Sequence, residues 1–281
     1  MVKRIGFSSC CFPEEMPIEE ILEFCLAHDF NAMELAVNST NFDPPNVKAS
    51  ALEQIKELSH SGRIYFGLHG PENINFSDPR AEAREEWVRK MEEALHFSAT
   101  LGVKSVVVHP GRIIGEVTPE KVQESVVQNV SGIRRCALRA KELGVIPSVE
   151  NLCHEKGTVN PTIDSFMAMC KAIDLSLIGI TFDTNHAGLV DGLEKTISVI
   201  GPYVNTIHFS SNKGQKSDHC PPQEGVIDFY TIAGFLRAFD GLTIIELNEI
   251  GKESASAILR TREYLIHLLN AGPETAGGFY A

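Results

Sequence analysis

Residues 178–209 read IGITFDTNHAGLVDGLEKTISVIGPYVNTIHF, and this stretch decides the fold class. It opens with an apolar, β-branched run, Ile178–Asp183, continues through an amphipathic segment, and closes with a second β-like run, Val204–Phe209. Each run ends on or beside an ionisable side chain, Asp183 in the first and His208 in the second. The stretch therefore predicts a strand–helix–strand unit with polar groups at the carboxyl ends of its strands.

Six further runs of the same kind flank this unit. The eight predicted strands are Arg4–Ser8, Ala32–Ala36, Ile64–His69, Ser105–His109, Val145–Glu150, Ile178–Asp183, Val204–Phe209 and Thr243–Leu247. Amphipathic segments separate them; one has a helix start at Thr118-Pro119 and a helix stop at Gly144. Eight such alternations in about 250 residues predict an α/β fold, the (β/α)8 TIM barrel. A doubly wound sheet is the rival, but no G-x-G-x-x-G follows an early strand.

Composition narrows the class of protein further. The 281 residues carry 25 Lys and Arg against 37 Asp and Glu, a formal net charge of −12, and 43% are hydrophobic. These values are typical of a folded globular chain, and the acidic balance argues weakly against binding to phosphate backbones. No compositional break divides the chain, so we predict a single barrel domain over residues 1–270 and a small-residue tail over 271–281.

The chain shows no sign of membrane insertion or secretion. No apolar run approaches the roughly 20 residues that a bilayer span requires, and the N-terminus lacks the pattern of a secretory signal. The seven cysteines include no C-x-x-C pair, which favours reduced thiols. We therefore expect a cytoplasmic protein that does not enter the membrane, and its apolar outer helices are compatible with a homo-oligomer.

Seven of the eight predicted strands end on or near a carboxylate or an imidazole: Glu34, His69, His109, Glu150, Asp183, His208 and Glu246. The chemistry of a TIM barrel sits at this end of the strands. One histidine at a strand end is usually structural, but repetition at the same end of successive strands favours function. Burying so many ionisable groups around one axis is costly unless they are paired or bind a cation.

The last four strands offer the best metal-binding set. Glu150, Asp183, His208 and Glu246 supply three carboxylates and one imidazole, which suits a divalent metal such as Mn²⁺, Zn²⁺ or Co²⁺. A second set would either hold additional metal or bind substrate: His69, His109, His186 and His219. Among the seven residues at the strand ends, Glu34 is the weakest candidate for a functional role. A salt bridge at the rim of the barrel and a contact with the substrate are equally compatible with it.

Seven segments carry a family resemblance: GLHGP (67–71), VVVHPG (106–111), SVEN (148–151), TFDTNHA (181–187), IHFSSNKG (207–214), SDHCPPQEGVIDF (217–229) and IIEL (244–247). Together they resemble the xylose isomerase-like TIM barrel superfamily. That superfamily contains sugar and sugar-phosphate isomerases and epimerases, and also the related endonuclease IV class (AP endonuclease family 2). The segments run from the third strand to the eighth, and the match is specific only as a set.

The epimerase branch implies one divalent metal (Mn, Zn or Co) on Glu150, Asp183, His208 and Glu246. Glu150 and Glu246 would then be the catalytic acid and base on either side of a small-molecule sugar substrate, and the reaction would pass through an enediolate. His186 would contact the substrate, and His69 and His109 would line the pocket. Glu34, Asn151 and Arg112 are weaker substrate-binding candidates, and a solvated surface role suits Arg112 equally well.

The nuclease branch of the family implies two metal sites in addition to the first. His69, His109 and Glu150 would hold a second zinc, and His186 and His219 a third. That pattern has an aspartate two residues before His219, where this sequence has Ser217 beside Asp218, so we expect no complete third site. The loop from His208 to Gly225 spans 17 positions and resembles the shorter isomerase loop.

We therefore prefer a metal-dependent sugar or sugar-phosphate isomerase/epimerase. The alternative is an endonuclease IV-like, zinc-dependent abasic-site phosphodiesterase. Nucleic acid would be a partner only under this alternative. A lyase with the same enediolate chemistry and a metal-binding barrel without catalysis stay open as lesser alternatives.

Overall fold

Eight parallel strands close into a barrel in the computed structural model, which describes residues 3–37, 42–153, 157–248 and 251–271. The strands are β1 (Arg4–Ser8), β2 (Ala32–Ala36), β3 (Tyr65–His69), β4 (Ser105–Val108), β5 (Ile146–Glu150), β6 (Gly179–Asp183), β7 (Val204–Phe209) and β8 (Leu242–Ile245). Neighbours in sequence are neighbours in the sheet, and β1 also pairs with β8. The predicted (β/α)8 barrel is confirmed, with each strand end within two residues of its predicted position.

Helices surround the barrel. They are α1 (Ile18–Ala27), α2 (Ala49–His60), α3 (Ala81–Thr100), α4 (Pro119–Leu143), α5 (Ile163–Ile173), α6 (Thr184–Leu189), α7 (Leu193–Ile200), α8 (Ala233–Ala238) and α9 (Ser254–Asn270). The predicted limits of α4 are correct: the Thr118 hydroxyl accepts from the Lys121 amide, and Gly144 follows with a φ of 69°. None of the helices described here is long and apolar enough to cross a bilayer. Residues 272–281 of the predicted tail lie outside the described residues.

Side chains along each strand alternate between the barrel interior and the layer beneath the helices. Outward residues such as Leu35 and Phe182 are fully buried and apolar, and the Phe182 ring meets Phe235 of α8 at 6.4 Å. Hydroxyls occupy inward positions, where Thr181 Oγ1 donates to Ser148 Oγ at 2.7 Å. Two positions further along these same strands stand Asp183 and Glu150. The alternation therefore places ionisable groups directly above a hydrogen-bonded layer.

Asn129 of α4 joins the loops that follow β3 and β4. The side chain is fully buried, and its Oδ1 accepts from the Gly111 amide at 2.6 Å. Its Nδ2 donates to the Ser77 hydroxyl at 2.5 Å and to the Ser125 carbonyl at 3.0 Å. The loops that begin at His69 and His109 are thus held together by one amide.

We expect Asn129→Ala to lower the free energy of unfolding by about 1–3 kcal/mol, because it leaves buried polar groups unpaired. Urea denaturation measures the change. Gln128→Ala is the matched control. The Gln128 amide is half-buried and donates to the exposed Glu124 at 2.8 Å, so the effect of this substitution should stay within about 0.5 kcal/mol. Equal losses in the two variants would show that the buried amide does not hold these loops.

Candidate metal centre

A cleft of about 320 Å³ opens at the carboxyl ends of the strands. The predicted residues that line it are His69, His109, Arg112, Glu150, His186, His219 and Glu246. The cleft has other lining residues that were not predicted as site residues: Cys10, Glu72, Leu152, Ser217, Leu247 and Asn248. All six residues follow a strand. Their position after the carboxyl ends of the strands was therefore a signal that could have found them, but none stood out by its chemistry.

His208 is the centre of the primary set, by which we mean Glu150, Asp183, His208 and Glu246. Its Nδ1 lies 3.3 Å from Glu150 Oε1, 3.2 Å from Glu246 Oε2 and 3.9 Å from Asp183 Oδ2. His208 and Asp183 are fully buried, and the Glu246 side chain is 13% exposed. The predicted set is therefore brought together around one ring nitrogen.

This arrangement fits a divalent cation. Asp183 Oδ2 is buried and has no hydrogen-bond partner within the described part of the chain. An unsatisfied carboxylate oxygen costs free energy in a protein interior unless a cation meets it. Ligand atoms about 2.1 Å from a common ion lie about 3–4 Å from one another, which is the spacing seen around His208. Carboxylate and imidazole donors suit Mn²⁺, Zn²⁺ or Co²⁺.

Two further sets adjoin the primary set. His69, His109 and Glu150 form the first, in which His109 Nε2 is 2.9 Å from Glu150 Oε2. Asp183, His186 and His219 form the second, and in each set the ligand atoms lie within 4.8 Å of one another. Glu150 and Asp183 thus belong to two sets each.

The last of these sets has three protein ligands. His219 has a φ of 33°, a left-handed conformation that is uncommon for a residue other than glycine, and its Nδ1 lies 4.0 Å from Asp183 Oδ2. Asp218 turns its carboxylate to its own loop, where Oδ1 accepts from the Lys213 amide at 3.2 Å. Asp218 therefore does not act as a fourth ligand, and its neighbour Ser217 lines the cleft.

Glu34 and Asn151 were both predicted as substrate-binding candidates, but neither lines the cleft. Glu34 is fully buried and does not line the cleft; its Oε2 is 3.0 Å from His208 Nε2. Asn151 uses both side-chain atoms on the Asp183 backbone, accepting from its amide at 2.9 Å and donating to its carbonyl at 3.1 Å. Glu34 is therefore placed for its salt-bridge role, and the substrate-contact role of both residues stays a prediction.

Asn151 and Asn75 fix neighbouring groups instead. The Asn151 carbonyl accepts from His186 Nδ1 at 2.9 Å, which leaves Nε2 of that ring for a metal or a substrate oxygen. Asn75 holds the backbone of Arg112 from both sides, accepting from its amide and donating to its carbonyl, each at 2.9 Å. Arg112 is exposed and faces the cleft, as predicted for either of its two roles.

Burial and charge oppose each other throughout the centre. Burial alone would lower the pKa of His208, but Glu246, Glu34 and Glu150 outweigh it and raise that pKa well above the usual value. The pKa of His69 rises to about 10, because Glu150, Glu34 and Glu246 overcome the effect of burial. Burial raises the pKa of Asp183, which lacks a close hydrogen-bonded partner for Oδ2. Without a metal, protonated imidazoles supply the positive charge.

Fold and site together define a (β/α)8 barrel with a candidate metal centre at the carboxyl ends of its strands. The sequence model of one family, described as "Xylose isomerase-like TIM barrel", matches residues 22–266. The chain belongs to this family, and the resemblance seen in the sequence is confirmed.

Known proteins of both branches are similar to this chain. Uncharacterized protein MJ1311 of Methanocaldococcus jannaschii is 29% identical over 277 residues, covering 93% of this chain and 89% of its own. The solved structure of a D-tagatose 3-epimerase-like protein has a TM-score of 0.79 at 25% identity, covering 95% and 98% of the two chains. The IolI protein with a bound zinc has a TM-score of 0.78 at 17% identity over the same shares. Probable endonuclease 4 of Acholeplasma laidlawii is 24% identical over 160 residues, 53% of each chain.

We expect a chelator to lower the melting temperature, and to lower it more at higher pH. The pKa values of His69 and His208 are higher in the folded protein than in the unfolded chain, so their protons stabilise the metal-free fold. This stabilisation is complete below about pH 6.5. It is lost as the pH rises through about 10 for His69. A bound metal would replace these charges at either pH. Thermal melts with zinc and with chelator at pH 6.5 and at about pH 9 measure the two differences. Equal melting temperatures with and without chelator would contradict a bound metal.

Proposed function

We propose that the protein is a metal-dependent isomerase or epimerase of a small sugar or sugar phosphate. One observation carries this proposal: Glu150 of β5 and Glu246 after β8 both line the cleft, and both lie within 3.3 Å of His208 Nδ1. Moving a proton on and off a carbon beside a carbonyl needs two such groups. They come from strands that are not adjacent, so a ligand can be held between them.

The cleft suits a small polar substrate. Its volume of about 320 Å³ is at the lower end of small-molecule sites. Arg112 is the one Lys or Arg among its described lining residues, whereas Glu72, Glu150 and Glu246 are acidic. A nucleic-acid groove needs a basic surface along the phosphate backbone. The lining therefore favours a sugar over a nucleic acid.

The residues have distinct tasks in this reaction. Glu150, Asp183, His208 and Glu246 would hold the divalent metal, which supplies positive charge that stabilises negative charge developing on substrate oxygens. One of the two glutamates removes the proton from carbon, and the other returns a proton from its own side. Burial would raise the pKa of Glu246, but the charge of His208 and its hydrogen bond outweigh this and lower that pKa, so the side chain is a carboxylate and carries no proton of its own. His186, held through Nδ1, would orient a substrate oxygen.

The comparisons support the same reaction class. The D-tagatose 3-epimerase-like protein covers 95% of the chain at 25% identity, whereas three endonuclease 4 relatives cover 53% to 72% of it at 21% to 24% identity. The zinc in the IolI structure supports a divalent metal in this fold. Mn²⁺, Zn²⁺ and Co²⁺ all match the donor set in this chain.

We expect the protein to exchange hydrogen for deuterium beside the carbonyl of a ketose in D₂O, and Glu246→Gln to reduce this exchange at least about 100-fold. The variant removes the proton acceptor but keeps the size of the side chain. NMR on a panel of ketoses, free and phosphorylated, measures the exchange at saturating metal. Glu224→Gln is the control, because Glu224 is exposed and pairs with Arg260 at 3.5 Å. Undiminished exchange in Glu246→Gln would remove Glu246 from the mechanism.

A metal-dependent phosphodiesterase on abasic DNA is the second candidate. The observation in its favour is that the two further ligand sets are assembled beside the primary set and share Glu150 and Asp183 with it. Clustered metals generate hydroxide and neutralise phosphoryl charge.

Metal content and cleavage separate the two candidates. For the isomerase or epimerase we expect about one metal ion per chain and no cleavage of an abasic oligonucleotide. Elemental analysis of protein purified without added metal gives the count, and a gel assay gives cleavage. Two to three zinc ions per chain with cleavage, and no exchange on any ketose, would overturn the preferred function.

A further inference from the structure

Glu34 and His208 form a buried pair across the barrel interior. Glu34 Oε2 lies 3.0 Å from His208 Nε2, and both side chains have no exposed surface. Glu34 is on β2 and His208 on β7, 174 positions apart in sequence. A buried carboxylate and imidazole at this distance share a hydrogen bond in which the ring N–H donates.

The two nitrogens of His208 face different groups. Nε2 faces Glu34, whereas Nδ1 faces Glu150, Glu246 and Asp183 at distances from 3.2 to 3.9 Å. A neutral imidazole carries one proton, so a hydrogen bond that holds the proton on Nε2 leaves the lone pair on Nδ1. That lone pair then points at the centre of the primary set.

We propose that Glu34 is a positioning residue that fixes the tautomer and orientation of His208 for the metal. A carboxylate on the outer nitrogen of a ligating histidine also raises the basicity of the ligand. The inference rests on the proposed function, since it requires that the primary set binds a divalent cation. It adds a residue that touches neither the metal nor the substrate.

The surroundings of Glu34 argue against a merely structural role. Its second oxygen, Oε1, is buried and has no hydrogen-bond partner among the residues described, and the same holds for Oγ of Ser8, its partner in the β1–β2 register. The carboxylate therefore does not join β2 to β1 through the Ser8 hydroxyl. The one hydrogen bond shown for this carboxylate goes to His208.

Zinc and cobalt binding test the role of Glu34. We expect Glu34→Gln to weaken Zn²⁺ affinity about 10- to 100-fold, since the neutral amide is a poorer acceptor, and Glu34→Leu to weaken it further. Competition with a chromophoric chelator measures affinity. The visible spectrum of the Co²⁺ protein should also shift in both variants, because a reoriented imidazole changes the ligand field.

Ser105→Ala is the matched control. Ser105 Oγ lies 3.2 Å from Thr206 Oγ1 in the barrel interior, on β4, two strands away from Glu34 on β2. It should lower thermal stability equally with and without zinc, and leave zinc affinity and the cobalt spectrum unchanged. Glu34→Gln should instead lose most of the rise in melting temperature that zinc confers.

Long-range ¹H–¹⁵N NMR of the zinc-loaded wild-type protein tests the tautomer without a substitution. We expect the proton of His208 on Nε2, and a proton on Nδ1 would overturn the inference. Wild-type affinity and spectrum in both Glu34 variants, with tight zinc binding by the parent, would overturn the inference alone. A parent protein that binds neither ion at the primary set would overturn the proposed function together with it.

Discussion

Four carboxylates surround one imidazole inside this barrel, and their mutual repulsion is the constraint on which the rest of the site depends. Glu34, Glu150, Asp183 and Glu246 each have an oxygen within 4 Å of a ring nitrogen of His208. Negative charges at such distances in a poorly solvated interior are stable only around positive charge. Protonated histidines or a divalent cation supply it. Folding is therefore linked to the charge balance at one point of the molecule.

The barrel keeps this charged group rigid. Below it, hydroxyls on β5 and β6 bond to one another, and beside it Asn151 holds the backbone of Asp183 and the ring of His186. These bonds satisfy buried polar groups that would otherwise compete for the carboxylates. The result is a candidate metal centre whose neighbouring buried groups are held in place by hydrogen bonds.

Much of the fold and of the site could be predicted from the sequence. Strands such as Val204–Phe209 stood out because apolar, β-branched runs recur at regular intervals, and β7 has these same limits. Glu150, Asp183, His208 and Glu246 stood out because each lies at or beside the end of a strand, and parallel strands bring their carboxyl ends together. The roles of Glu34 and Asn151 were not predictable, because hydrogen-bond partners 174 and 32 positions apart leave no pattern in the chain.

The sequence by itself determined the barrel, the end at which its chemistry lies, and the donor atoms available there. All three follow from local periodicity and residue type, which are properties of short segments. Only the tertiary structure decided which nitrogen of His208 faces the carboxylates, that Glu34 lies behind that ring, and that Asp218 turns away from the centre. These outcomes depend on how side chains are oriented on strands that are distant in sequence. The same residues could adopt several side-chain arrangements, and packing and hydrogen bonding select one of them.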